Sequence, residues 1–282
     1  MLLTQAGHCC TITDFQGPAL MNQQDLILLK DWFDDYCAHY STHVQEDQRN
    51  FEVKKDHTYQ VCQNALRIGR SLKLNSQDML IAEAIALCHD VGRFPQYRQY
   101  KTFDDGISAN HAVLGVKVLQ EQGVLRGLPE QEQNLIIRAV TLHNVFTLPD
   151  ALEQRTRLFV HIVRDADKLD IWRVFIEYYD QGEACRATAV ALGLPDTPDY
   201  SATVLACLQQ GKMAFKSELK TLNDFKLLQL TWLYDLNFTT SLKMVQERRY
   251  VDKMAAALPE NVEIREAIER ARKFVAGKLK TF

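Results

Sequence analysis

Turn-forming residues are scarce, with 12 glycines and 7 prolines in 282 residues. Chains that fold into many short strands need a tight turn every few residues, so this shortage argues against a sandwich or barrel. No alternating apolar–polar run of convincing length occurs, and no internal repeat. No apolar run approaches the ~20 residues that cross a bilayer. Met1 to Cys10 lacks a basic stretch followed by a long apolar one, so no signal peptide is expected. The 7 cysteines are odd in number and irregularly spaced, with no C-x-x-C, which argues against a disulfide framework and a thiolate zinc site. These absences together predict a cytoplasmic protein with reduced thiols. Charge of one sign is also lacking. Lys plus Arg is 33 and Asp plus Glu 36, a net charge of −3, so neither dedicated nucleic-acid binding nor membrane-surface binding is expected.

What is present is helical periodicity in a chain of globular composition, 46% hydrophobic and 24% charged. The expected fold is all-α. Helices are predicted over Leu26 to Tyr40, His57 to Leu72, Met79 to Asp90, Asn110 to Gln122, Pro129 to Asn144 and Leu158 to Tyr179. Asn75 to Asp78 reads as a cap, Gly92 and Pro95 as a helix stop, and Ser108 as the cap of the helix from Asn110. The polar, aromatic stretch Arg93 to Ala109 is predicted to be a loop. Pro195 and Pro198 mark a break, after which Ala202 to Lys280 is helical again. The expected organisation is an N-terminal segment 1–25, a main helical domain 26–182, and a C-terminal helical extension 183–282 packed on it.

Four histidines, His57, His89, His111 and His143, fall on apolar stripes or near helix ends, on four successive predicted helices. One such histidine is ordinarily a core residue with satisfied nitrogens. Four of them beside Asp90 point instead to a metal. Asp90 ends the strongly apolar helix Met79 to Cys88, where an unpaired carboxylate costs several kcal/mol and a cation removes that cost. Imidazole with carboxylate suits Mn, Fe, Co, Ni or Zn, with Mg also admissible. A further acid lies in Arg164-Asp165-Ala166-Asp167-Lys168-Leu169-Asp170. At 100° per residue Asp170 sits within the apolar stripe, Asp167 on its edge, and Asp165 faces away, predicted to be solvated. Periodicity leaves Asp167 and Asp170 both open.

His57, His89-Asp90 within Ala86-Leu87-Cys88-His89-Asp90-Val91-Gly92-Arg93, and Ala166-Asp167-Lys168-Leu169 together resemble the HD-domain superfamily of metal-dependent phosphohydrolases. The resemblance spans about residues 30 to 180 and implies an HD-domain helical bundle. It selects Asp167, which follows a small residue and precedes a basic one and Leu. His111 and His143 match the extra histidines of binuclear members. One metal would take His57, His89, Asp90 and Asp167. A second would take Asp90 as a bridge, with His111 and His143. Asn144 departs from relatives that carry a second His there.

The implied function is hydrolysis of a phosphomonoester or phosphodiester, in a nucleotide or other small phosphorylated metabolite, by metal-activated water. Asp90, Arg93 and Lys168 are the candidate catalytic residues, the two cations facing phosphate. Arg98 and Lys101 are expected to be surface cations. Tyr97, Tyr100 and Phe103 are expected to anchor their loop to the core, and Trp232 to Phe238 to pack. His39, His43 and His161 have no partner pattern, and His8-Cys9-Cys10 sits in a terminal segment. Two alternatives share the ligand set: a mixed-valent di-iron oxygenase, and a non-catalytic nucleotide-binding module. A homodimer is compatible with the sequence.

Overall fold

The computed structural model describes residues 20–182 and 185–280. His8, Cys9 and Cys10 lie outside them. The described residues form helices and connections, with no strand among them. The fold class is the expected one.

Two helices of 27 residues, α2 (Gln45–Ser71) and α7 (Gln154–Asp180), form the axis of the molecule. Each is about 40 Å long at 1.5 Å per residue. They pack on each other and on α3 (Ser76–Cys88). The α2 stripe Val61, Ala65, Ile68 is fully buried against them. α3 is apolar on nearly every side and is buried from Ala84 to Cys88, as a helix without a polar face must be. Asn75 caps it, accepting from the Asp78 amide at 2.8 Å. α1 (Gln23–Ala38) covers α3, and its capping box joins Asn22 and Asp25.

Three local expectations need correction. Arg93 to Tyr100 is a helix, α4, rather than a loop. Pro95 lies in its first turn, where the missing N–H has no intrahelical acceptor to lose and the fixed φ suits a helix. The cap of α5 (His111–Gln122) is Asn110, which accepts from the Ala112 and Val113 amides. Ser108 turns back instead and donates to the Asp104 carbonyl at 2.6 Å. α4 also intervenes between the second and third histidines, so the four do not ride on successive helices. α6 (Glu130–Leu142) follows, opened by Pro129.

Beyond the break come α8 (Ala202–Gln210), α9 (Leu222–Thr231), α10 (Thr239–Glu247), α11 (Tyr250–Ala256) and α12 (Val262–Lys280). α10 and α11 pack on α7, and α10 also on α2. Buried Trp172 of α7 meets Trp232 and Tyr250 at ring centroid distances of 6.1 and 5.8 Å. One continuous apolar cluster runs from Met21 to Val275. No described helix is long and apolar enough to cross a membrane.

Asp165, predicted to be solvated, is fully buried. It accepts from the Asn237 backbone and side-chain amides and from the Phe238 amide, at 2.9 to 3.1 Å. The face of α7 that points away from the metal centre is covered by the C-terminal helices, so its polar residue meets protein instead of water. Periodicity within α7 cannot reveal that second partner.

Candidate metal centre

The side chains of the site converge from the middles of the two long helices and from the ends of the shorter ones. α2 contributes Lys54 and, one turn on, His57. α3 closes at Cys88, so His89 and Asp90 lie just past its last turn. α4 opens at Arg93, α5 opens at His111, and His143 is the C-cap of α6. Asp105 comes from the α4–α5 connection. α7 supplies Asp167 and Asp170.

In all four imidazoles Nδ1 is engaged. His89 Nδ1 meets the Ala86 carbonyl at 2.6 Å, and His143 Nδ1 meets the Val140 carbonyl at 2.7 Å. Each thereby satisfies a carbonyl that its helix end leaves open. His57 Nδ1 meets Asp170 Oδ2 at 2.8 Å, and His111 Nδ1 meets Asp105 Oδ2 at 2.6 Å. Carbonyls and carboxylates only accept, so Nδ1 carries the proton in each ring. Each Nε2 of a neutral ring is then left as a bare lone pair.

Those four Nε2 atoms surround Asp90. His57 and His89 lie 3.5 and 3.7 Å from its Oδ2, while His111 and His143 lie 3.4 and 3.9 Å from its Oδ1. Asp167 Oδ1 stands 3.1 Å from His57 Nε2 and 3.7 Å from His89 Nε2. The donors fall into two sets with ligand-compatible spacing, His57–His89–Asp90 and Asp90–His111–His143, sharing Asp90.

Two observations show that these residues fit a metal. The buried Nε2 atoms of His57 and His89 have no hydrogen-bond partner, an arrangement that is costly without a cation. His111 Nε2 and His143 Nε2 face each other at 2.9 Å. With both Nδ1 atoms protonated, two lone pairs meet there, and a cation resolves the repulsion. Burial, with His111 and His89 alongside, pushes His143 down to about 3, and burial with Arg93 also lowers His111. Both rings are therefore held in the neutral, ligating form. Burial disfavours the Asp90 carboxylate, but the charges of Lys54 and Arg93 hold it well below the usual range.

Arg93 is anchored inside the site, with Nε 3.3 Å from Asp90 Oδ1 and Nη1 3.0 Å from Asp105 Oδ1. Lys168 points to Asp235 at 2.8 Å, where Arg164 joins it at 2.9 Å. Arg98 lies over the Tyr40 ring and Lys101 pairs with Asp47, both away from the metal donors. Tyr97 and Phe103 are buried anchors, whereas Tyr100 is exposed.

Sequence reading missed Lys54, whose Nζ lies 2.8 Å from Asp90 Oδ2. Its signal was its position three residues before His57, on the same helix face. It also missed Asp105. Asp170, left open beside Asp167, proves to hold His57 from behind, fixed in turn by Arg173 at 2.6 Å. Asp170→Asn puts an amide in reach of Nδ1 and loosens the tautomer. Metal affinity is expected to fall about 10- to 100-fold. Competition with a chelating dye measures it.

Fold and site define a helical metal-binding domain whose ligands come from the middles of two long helices and the ends of three shorter ones. Residues 55–172 match the family model described as HD domain. No curated protein and no solved structure matches the chain. The match holds all six donors His57, His89, Asp90, His111, His143 and Asp167, and an HD domain implies binding of a divalent metal.

Proposed function

We propose that the protein is a metal-dependent phosphohydrolase that cleaves an ester of a small phosphorylated molecule. The carrying observation is four imidazoles with Nδ1 anchored and Nε2 bare, gathered round Asp90 and Asp167, with His57, His111, His143 and Asp167 lining a cavity of about 510 Å³. A divalent metal there supplies a water of lowered pKa and neutralises phosphate oxygens. His57, His89, Asp90 and Asp167 would hold one ion, and Asp90, His111 and His143 a second.

The chain's own contribution is positioning and charge. Lys54, Arg93, Arg164 and Lys168 all line this cavity. Lys54 and Arg93 flank Asp90 from opposite oxygens, so either cation can reach a phosphate lying across that carboxylate. Arg164 and Lys168 share the single carboxylate of Asp235, which leaves an excess positive charge on the wall.

The test is phosphate release from a panel of phosphomonoesters and phosphodiesters. Chelation is expected to abolish turnover, and readdition of Mn, Fe, Co, Ni or Zn in turn to identify the working ion. Release that survives exhaustive chelation, or oxygen uptake by the iron-loaded protein without phosphate release, would overturn the proposal.

A further inference from the structure

The cavity beside the metal donors is divided. Most of its polar side chains gather at one end: His57, His111, His143 and Asp167 with Lys54, Arg93, Asp105, Asn144 and the Arg164–Lys168 pair, while Lys216, paired with Asp104, and Ser217 follow Phe215. Along α7 the lining changes character. One turn past Asp167 comes Ile171, and then Val174 and Phe175, which lie about 10 Å along the helix. Val190, from the 3-10 turn Thr188–Ala191, and Phe225 and Leu228 of α9 complete that wall. No side-chain amide or carboxylate among the described residues lines this far end. At the rim, exposed Phe146 and Phe215 stack with centroids 4.4 Å apart.

A nucleoside placed with its phosphate at the metal donors would bring ring nitrogens and hydroxyls against aliphatic side chains and the Phe175 and Phe225 rings, none of which offers a hydrogen-bond partner, at the cost of their hydrogen bonds to water. An apolar chain or ring of the same length releases water from both surfaces and loses no hydrogen bond. We propose that the substrate is a phosphate monoester of a bulky apolar alcohol, its phosphate at the cationic end and its hydrocarbon along Ile171, Val174 and Val190. This rests on the phosphohydrolase reading for the chemistry. A water oxygen bonds to phosphorus, the ester P–O bond breaks, and the departing alkoxide takes a proton to leave as the alcohol with inorganic phosphate.

The test uses the metal-loaded full chain with n-alkyl phosphates of two to eight carbons and a set of nucleoside monophosphates. kcat/KM is expected to rise roughly two- to fourfold per added methylene, with the nucleotides at least tenfold below octyl phosphate. Val190→Asp is expected to flatten that rise while metal content stays at the wild-type level. Should this variant fail to fold, the wild-type series decides alone. A flat chain-length series, or nucleotides preferred tenfold, overturns the inference and leaves phosphohydrolysis standing. Failure of every ester to release phosphate overturns the reaction instead. Calorimetry with octylphosphonate then decides the pocket: saturable binding tighter than that of ethylphosphonate supports it, and equal or no binding overturns it.

Discussion

Replacing Asp90 by Asn is expected to empty both metal positions at once, leaving metal content at background and lowering phosphate release on the order of 10³-fold or more. Asp90 is the one residue common to both donor sets. Its Oδ2 faces His57 and His89, and its Oδ1 faces His111 and His143. An amide keeps the shape of the side chain, yet it presents one neutral acceptor where two anionic oxygens stood. The same change strands Lys54 and Arg93, whose contacts to Asp90 are 2.8 and 3.3 Å. Breaking a buried pair by removing one partner costs about 3–5 kcal/mol. Both cations border the cavity and can turn toward water, and Arg93 keeps Asp105, so the loss should fall at the lower end of that range. Elemental analysis, turnover and thermal melting of the variant check the three parts separately. Full metal occupancy with intact turnover would remove Asp90 from the centre of the site.

The donors were legible because they lie in short, locally distinctive strings. A His-Asp pair closing an apolar run stands out in one dimension, as does Ala-Asp-Lys-Leu inside a long helix. What supports them was not legible, because it is assembled across the fold. Asp170 and His57 are separated by 113 positions, and only the antiparallel packing of α2 and α7 brings them to 2.8 Å. Asp105 lies six residues before His111 in a stretch with no periodicity. Asp165 shows the converse error. Its direction on α7 was derived correctly, but which surface of a helix meets water depends on what else packs there. The C-terminal helices supply that packing, and with it the cavity wall at Phe225 and Leu228. α4 was missed for a different reason. A proline after an apolar run reads as a stop, although in the first turn it is compatible with a start.

Gly92→Ala is expected to be the most damaging substitution that removes no functional group. Gly92 has φ −69°, ordinary for any residue, so backbone conformation does not demand glycine here. Space does. A Cβ at this position would lie 2.0 Å from the His111 carbonyl oxygen and 2.5 Å from the Gly115 amide nitrogen. Both are backbone atoms of α5 and cannot rotate aside. Relief requires the α3–α4 corner and the start of α5 to separate. Overpacking ordinarily costs about 1–3 kcal/mol and sometimes more; a clash with helix backbone places this one at or above the upper limit. For a chain of this size that corresponds to a fall in Tm of roughly 6–12 °C. The corner carries Asp90 two residues before the glycine, and α5 carries His111 at its first turn. The same separation therefore widens the 3.4 Å gap between His111 Nε2 and Asp90 Oδ1. The donor set Asp90–His111–His143 should weaken more than His57–His89–Asp90, whose members sit on the α2 and α3 side of the clash. Metal titration of the folded variant below its melting range should show one class of site at near-normal affinity and the other weakened. Equal weakening of both, or a melting temperature unchanged from wild type, would show that α5 can move without disturbing the centre, and would break the link drawn here between that close approach and the position of His111.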